Sequence, residues 1–292
     1  MNAYDYLEPD TLDEVIAALV ANGDDAHLIA GGASLVLMLR QQLLTPTLLV
    51  GLRGIDELRG IERLADGGLR IGATTTHRQV ERSPVVASYA PALADAFGRV
   101  ATVRIRNQGT VGGNLAHADP AQDPPPILMA LDAVARITGP AGERALPVAD
   151  LFVDFFETRL APDEVLTAVE LPPRGAAAVA AYLKFLPGSQ DDYATVSVAA
   201  SATISSGRWR DVRIACGAVG SVPLRAREAE ASLEGGTPDE AAFAAAAALV
   251  ADVVDPVDDT RGSADYKRDM AVVWTRRALA RLAVAARAGS AA

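Results

Sequence analysis

Two short stretches of this sequence could do chemistry with their backbones rather than their side chains: Ile29-Ala30-Gly31-Gly32-Ala33-Ser34-Leu35 and Thr110-Val111-Gly112-Gly113-Asn114-Leu115-Ala116. Each runs from an apolar residue into a Gly-Gly pair, then to a small polar side chain, Ser34 or Asn114. With no Cβ in the way, backbone N–H groups approach a ligand closely, and successive N–H groups in a tight turn make a concavity for an anion. In the first stretch a helix starting at about Ser34 adds the positive end of its dipole. One Gly-Gly pair is ordinarily only a turn. Two brought together suit a pyrophosphate, which carries two anionic groups.

The standard nucleotide fingerprints are missing. No GxGxxG follows a strand, and no GxxxxGK[ST] exists, because the only lysines are Lys184 and Lys267. A nucleotide bound here would therefore lie outside a Rossmann crevice and outside a P-loop. The second pair sits in RNQGTVGGNLAHADPAQDPPP, residues 106–126, whose glycines and run of three prolines predict neither a regular strand nor a regular helix. Such a backbone is expected to serve a ligand.

Other chemistry is sparse. One cysteine, Cys216, makes no internal disulfide, iron–sulfur site or zinc site, and its setting in VRIACGAV predicts a buried strand residue. His27, His77 and His117 lie far apart without ligand spacing, so no metal site is expected. The formal charge of −10 repels phosphate backbones, which argues against nucleic acid. The N-terminus, MNAYDYLEPDTLDEV, has acids where a leader needs a basic flank, and no apolar run approaches the ~20 residues of a membrane span, so a cytoplasmic protein is expected.

The elements that must position these stretches can be read from pattern. Thr11-Leu12-Asp13-Glu14 is a capping box opening a helix that Gly23 closes; a short strand, the Gly31-Gly32 turn and a second helix follow. Strands are predicted at 47–52 and 69–73, then a short helix capped at Thr76 with Gln79 in the box position, helices at about 85–101 and 125–131, and strands over 133–138 and 164–173. Pro172-Pro173 marks the main boundary, and the expected units are 1–55, 56–173 and 174–292. The last has strand-like runs at 181–186, 194–204 and 209–219, then helices at about 225–235, 238–253 and 263–287, with Thr237 as the cap of the second. That order is an α+β unit with helices on a three-stranded antiparallel sheet.

Those residues also carry a resemblance. AGGASLVLMLRQQLLTPTLLVGLRGIDELRGI and IRNQGTVGGNLAHADPAQDPPPILMALDA resemble the two flavin-binding motifs of the FAD-carrying medium subunit of molybdenum hydroxylases, the group that includes carbon monoxide dehydrogenase and xanthine dehydrogenase. YLKFLPGSQDDYATVSVAA, ACGAVGSVPLRAREAEASLEG and YKRDMAVVWTRRAL resemble that family's C-terminal domain in content and order, so the likeness spans almost the whole chain.

The resemblance implies an α+β protein with α/β lobes: a two-lobe FAD-binding fold of the vanillyl-alcohol-oxidase type, plus an α+β C-terminal domain that helps cover the isoalloxazine. It implies that Ala30, Gly31, Gly32, Ala33, Ser34 and Leu35 meet the FAD pyrophosphate from one side, and Thr110, Gly112, Gly113 and Asn114 from the other. It puts Asp123 on flavin hydroxyls, Leu166 against the ring system and Lys184 at the flavin; a solvated strand-edge lysine is the alternative for Lys184. His117 is counted with these residues, although it and Asp119 stand where many relatives have small polar residues. Gly51 occupies a position where an Asp is frequent, and LPGSQ replaces the basic residues usual after the lysine.

The function so implied is electron transfer. A large subunit with the molybdenum cofactor oxidises the substrate, a small subunit with two [2Fe-2S] clusters relays electrons, and the FAD on this chain passes them to an external acceptor. The absence of any acid–base or nucleophile constellation agrees, since relay needs a positioned flavin and no proton-transfer machinery. The alternative is a self-sufficient flavin oxidoreductase acting directly on a small substrate, for which His117, Asp119, Tyr193 or Lys184 would have to supply the base. A scaffold without cofactor is a third reading, opposed by the intact glycine pairs.

Overall fold

The computed structural model describes residues 4–189 and 191–289. Three sheets follow one another along the chain. The first is parallel: β1 (Asp5–Leu7), β2 (Ala26–Ile29) and β3 (Leu48–Gly51) lie in the order β1-β3-β2. Helix α1 (Leu12–Asn22) connects β1 to β2; Thr11 caps it by accepting from the Glu14 N–H at 3.3 Å, and Gly23, at φ +51°, ends it. Its apolar stripe, Val15 and Leu19, packs on Val50. Short helix α2 (Leu35–Arg40) connects β2 to β3, with Ser34 at its cap position as the pattern predicts. The carboxyl ends of β2 and β3 thus open on the same side, where parallel sheets bind ligands.

The second sheet is antiparallel, built from β4 (Ile61–Arg63), β5 (Leu69–Gly72), β6 (Val134–Gly139), β7 (Gly142–Pro147) and, from further along the chain, Val165–Leu171; the order is β4-β5-(165–171)-β6-β7. Six helices separate β5 from β6: α3 (His77–Arg82), α4 (Pro84–Tyr89), α5 (Pro91–Gly98), α6 (Val103–Gln108), α7 (Val111–His117) and α8 (Pro124–Ala130). The single helix expected over 85–101 is broken because Pro91 has no N–H to donate and drives Ala90 out of the helical region, to φ −158° and ψ 103°. A larger correction concerns 106–126. Far from irregular, it contains the end of α6, all of α7 and the first turn of α8. The three prolines fall at the start of α8, where a missing N–H costs nothing. A small hairpin, β8 (Phe152–Asp154) with β9 (Glu157–Thr158), precedes β10 (Val165–Leu171).

The third sheet is antiparallel in sequence order: β11 (Ala178–Phe185), β12 (Val196–Ser205), β13 (Arg208–Gly217) and β14 (Leu224–Arg225). Its three long strands are those expected, and β14 adds two residues at the edge. Helices α9 (Arg227–Leu233), α10 (Glu240–Val250) and α11 (Ala264–Gly289) cover one face, burying Trp209 and Cys216. The cap of α10 is Asp239, not Thr237: one carboxylate oxygen accepts the Ala242 N–H at 2.9 Å and the other the Thr237 hydroxyl at 2.6 Å. The opposite face packs on α8, and Asp132 binds Arg213 at 2.9 Å and Arg225 at 2.8 Å across that seam.

Candidate functional site

Everything depends on whether the two glycine stretches meet. The first packs backbone to backbone on the residues that lead directly into the second: a Cβ built on Gly31 would lie 1.8 Å from the Gln108 carbonyl oxygen and 3.2 Å from Gly109 Cα. No side chain fits there. Gly32 follows in the left-handed region, φ +72°, so each glycine of the first pair is required for a different reason. The contact borders a cavity of about 360 Å³, lined by Ala30 and Gly31, by Asn107, Gln108 and Thr110, and by Thr74, Thr75 and Thr76. Gly60, Gln79, Arg53 and Arg59 complete it, so among the described residues two guanidinium groups and no carboxylate line the space.

The second pair does different work from the first. Thr110 caps α7, its hydroxyl accepting the Gly113 N–H at 3.2 Å, and bridges to Thr76 of the adjoining strand segment. Val111 N–H donates to the Thr75 carbonyl at 2.9 Å and Gly112 N–H to the Ala73 carbonyl at 2.8 Å. Gly112 is buried, and a Cβ there would stand 2.6 Å from Ala73 Cβ, so its bareness lets α7 dock on the chain leaving β5. Gly113 is exposed, and an added Cβ would meet only the Thr110 hydroxyl, at 2.8 Å. Next to it, Asn114 is buried with its Oδ1 unpaired among the described residues. Ser34 likewise makes no side-chain cap bond. An unsatisfied buried amide beside a Cβ-free cleft is what a phosphate-and-hydroxyl ligand would complete.

His77 braces this corner. Its N–H donates to the Gly109 carbonyl at 3.0 Å, and its ring leaves no room for a Cβ on Gly109, at 2.9 Å. Burial, with Arg106 nearby, pushes its imidazole down to about 4. Arg106 in turn holds Glu81 at 3.0 Å and the Val100 carbonyl at 2.9 Å, fixing α6 against α3. Because the folded value lies below the ordinary 6.5, the unfolded chain binds the extra proton: His77's contribution is full above pH 6.5 and is lost as pH falls toward 4. The expected loss is about 2 kcal/mol between pH 7 and 5. Urea unfolding at both values should show His77→Gln losing less stability on acidification than the unsubstituted chain, and equal losses would contradict this.

A second cluster lies under α8. Asp123, just before α8, is buried and accepts from the Lys184 ammonium at 2.9 Å and from the Tyr182 hydroxyl at 2.5 Å; Lys184 also donates to the Arg99 carbonyl at 3.0 Å. Tyr182 and Lys184, two apart on β11, share a face of the strand. Burial pushes the Asp123 carboxyl up against the pull of Lys184 and Tyr182, and burial, then Asp123, pushes the Tyr182 hydroxyl well above the ordinary phenol range. Lys184 is thus no solvated edge residue. The expected pair of flavin contacts, Asp123 and Lys184, are each other's partners, while the ammonium keeps a third donor. Leu166 is buried on β10 beside an irregular register step, in the same apolar cluster as Leu115 and Tyr182.

The α7–α8 loop completes the surroundings. His117 packs on Phe156 of the hairpin, ring centroids 5.3 Å apart, and burial holds its imidazole below the ordinary value despite Asp119. Asp119 accepts from the Ala121 N–H at 2.9 Å, and burial, then the Asp119 charge, pushes the Tyr193 hydroxyl up to about 12. A phenol at that value is no base at neutral pH, and a lysine held by a buried carboxylate is no free one. Sequence reasoning missed Tyr182, Arg53, Arg59 and the three threonines. Only Arg53 carries a readable signal, as the charged residue just beyond the predicted strand 47–52.

The comparisons with known proteins agree with this geometry. Residues 2–174 match the family described as the FAD binding domain in molybdopterin dehydrogenase, and residues 181–282 match the CO dehydrogenase flavoprotein C-terminal domain. The carbon monoxide dehydrogenase medium chain of Afipia carboxidovorans is 36% identical over 279 residues, covering 96% of each chain. The 6-hydroxypseudooxynicotine dehydrogenase complex subunit alpha of Paenarthrobacter nicotinovorans is 35% identical over 280 residues, covering 96% of this chain and 94% of that one. Among solved structures, carbon monoxide dehydrogenase from Hydrogenophaga pseudoflava superposes with a TM-score of 0.94 at 35% identity, and quinoline 2-oxidoreductase from Pseudomonas putida 86 with 0.91 at 36%, each covering 98% of both chains. A Gly31 turn packed on the backbone that leads into α7, a buried acid–lysine–tyrosine cluster and a matching C-terminal unit over essentially the full length lead to one conclusion: this chain belongs to the FAD-binding medium subunits of the molybdenum hydroxylases.

Proposed function

We propose that the chain holds FAD with its pyrophosphate between the Gly31 turn and the start of α7, and that it works as the electron-output subunit of a molybdenum-containing dehydrogenase. The observation that carries this reading is the backbone contact of Gly31 with Gln108, beside a cavity free of carboxylates. Bound FAD supplies a redox centre that takes up and releases electrons. The protein's share is positioning. Ala30 to Leu35 offer backbone donors and the Ser34 hydroxyl, and Thr110, Gly113 and Asn114 offer hydroxyl, open space and a buried amide. Asp123, locked by Tyr182 and Lys184, presents a carboxylate that does not wander, and Leu166 adds an apolar wall. The divisions at 1–55, 56–173 and 174–292 would give each of the first two units one glycine turn.

The partners in this reading are a large subunit with the molybdenum cofactor and a small subunit with two [2Fe-2S] clusters, since one cysteine, buried and pushed up to about 12, holds no cluster. No helix among the described residues is long and apolar enough to cross a membrane, and the proposed compartment is the cytoplasm. Mixing the FAD-loaded chain with a reduced two-cluster partner should bleach the flavin absorbance within the mixing experiment. Bleaching by a small oxidisable substrate in the isolated chain, with no cluster-bearing partner present, would overturn electron relay in favour of direct oxidation.

A further inference from the structure

The glycine turns offer dipoles to a pyrophosphate but no full positive charge, in a protein whose net charge is −10. We propose that Arg53 supplies it: its guanidinium binds a phosphate of the dinucleotide. This rests on the FAD reading and adds to it a residue outside the two Gly-Gly stretches, 29–35 and 110–116.

Four observations converge on Arg53. It stands two residues past the end of β3, the central strand of the parallel sheet, while the Gly31 turn leaves the adjacent strand β2. Ligands of such sheets sit outside the carboxyl ends of neighbouring strands. Arg53 lines the cavity together with Gly31 and Thr110, and no acid lines it. The other arginine of the cavity is already committed, since Arg59 pairs with Asp56 at 2.9 Å and donates to the Arg53 carbonyl. Arg53's own guanidinium makes no ion pair or hydrogen bond among the described residues.

Its neighbours leave that charge without an ion pair: the acid nearby, Glu8, accepts from the Tyr6 hydroxyl at 3.3 Å and makes no salt bridge with Arg53 among the described residues. Gly51 ends β3 without a carboxylate, and the Tyr6 hydroxyl fills the space a Cβ there would take, at 2.5 Å. Gly54 fits beneath the Pro9 carbonyl, where a Cβ would come to 2.8 Å, so the backbone on either side of Arg53 is confined. An arginine held on such a loop meets a phosphate with two donors in a fixed plane.

The test uses the full chain stripped of flavin and titrated with FAD at low and high potassium chloride. Arg53→Gln should raise the FAD dissociation constant at least tenfold at low salt, and flatten its dependence on salt, because the lost contact is ionic. Arg53→Lys should recover part of the affinity and most of the salt slope. Arg53 is exposed, so circular dichroism and thermal unfolding should stay as in the unsubstituted chain. Arg53→Gln binding FAD within twofold of the unsubstituted chain, with the same salt slope, would overturn the proposal and leave the FAD reading standing. Failure of the unsubstituted chain to take up FAD would sink that reading, and this proposal with it.

Discussion

Replacing Gly31 by alanine should weaken FAD binding at least a hundredfold. The added methyl would have to occupy a point 1.8 Å from the Gln108 carbonyl oxygen, and both partners are backbone, so no rotamer relieves it. The Gly31 turn and the 108–109 backbone must part by more than an ångström. Overpacking of flexible side chains ordinarily costs about 1–3 kcal/mol, and a backbone-on-backbone clash sits at or above that range. Donors aimed from both turns at one pyrophosphate then no longer converge. Losing two charge-assisted hydrogen bonds, at about 1.5–3 kcal/mol each, weakens binding by at least a hundredfold. Fluorescence titration of deflavinated Gly31→Ala with FAD checks this. Gly175→Ala is the control, because nothing lies within 4 Å of its added Cβ, and it should bind FAD as the unsubstituted chain does. Tight FAD binding by Gly31→Ala would mean that the contact is not part of the site.

The second large effect is expected at the buried ion pair. Lys184→Met leaves the Asp123 carboxylate with Tyr182 alone in an environment that already pushes its pKa up. Breaking a buried pair from one side costs about 3–5 kcal/mol. The deficit has a definite pH sign. Without the ammonium the folded chain favours the protonated acid more strongly still, so the loss is greatest at neutral pH and shrinks as pH falls and Asp123 takes up a proton. The double variant Asp123→Asn with Lys184→Met removes both charges and should recover much of the loss. Denaturant unfolding of the two single variants and the double at pH 7 and 5 reads all of this. A Lys184→Met deficit below about 1 kcal/mol at pH 7 would show that the pair is solvated and weak.

What the sequence revealed follows the range of the forces involved. Strands β3, β5, β6, β10 and the three long strands of the third sheet were legible because each is an apolar run bounded by glycine, proline or charge. Helix α1 was legible from its cap and stripe. The exposed strand β1 was not, since Asp-Tyr-Leu carries no burial pattern and is a strand only because β3 lies beside it. Helix α7 was hidden for the opposite reason: glycine's helix penalty of roughly 1 kcal/mol predicts a loop at Gly112-Gly113, and docking against Ala73, which only glycine permits, overrides it.

The candidate site divides the same way. Both Gly-Gly pairs stand out in the sequence as local backbone features, and Asp123 enters as a candidate only through the family resemblance. That Asp123 and Lys184 would meet, with Tyr182 closing the cluster, depends on β11 coming up beside the residue just before α8, and spacing along the chain carries no trace of it. The threonines at 74–76 line the cavity beside the pairing of Thr76 with Thr110, and Arg53 reaches it from the loop after β3, placements equally silent in the sequence.

The most direct measurement is a crystal structure of the chain loaded with FAD. The pyrophosphate is expected between the two stretches, within hydrogen-bonding distance of backbone N–H groups in 31–34 on one side and of Thr110 or Asn114 on the other. A pyrophosphate touching only one of the two stretches, or neither, would contradict it.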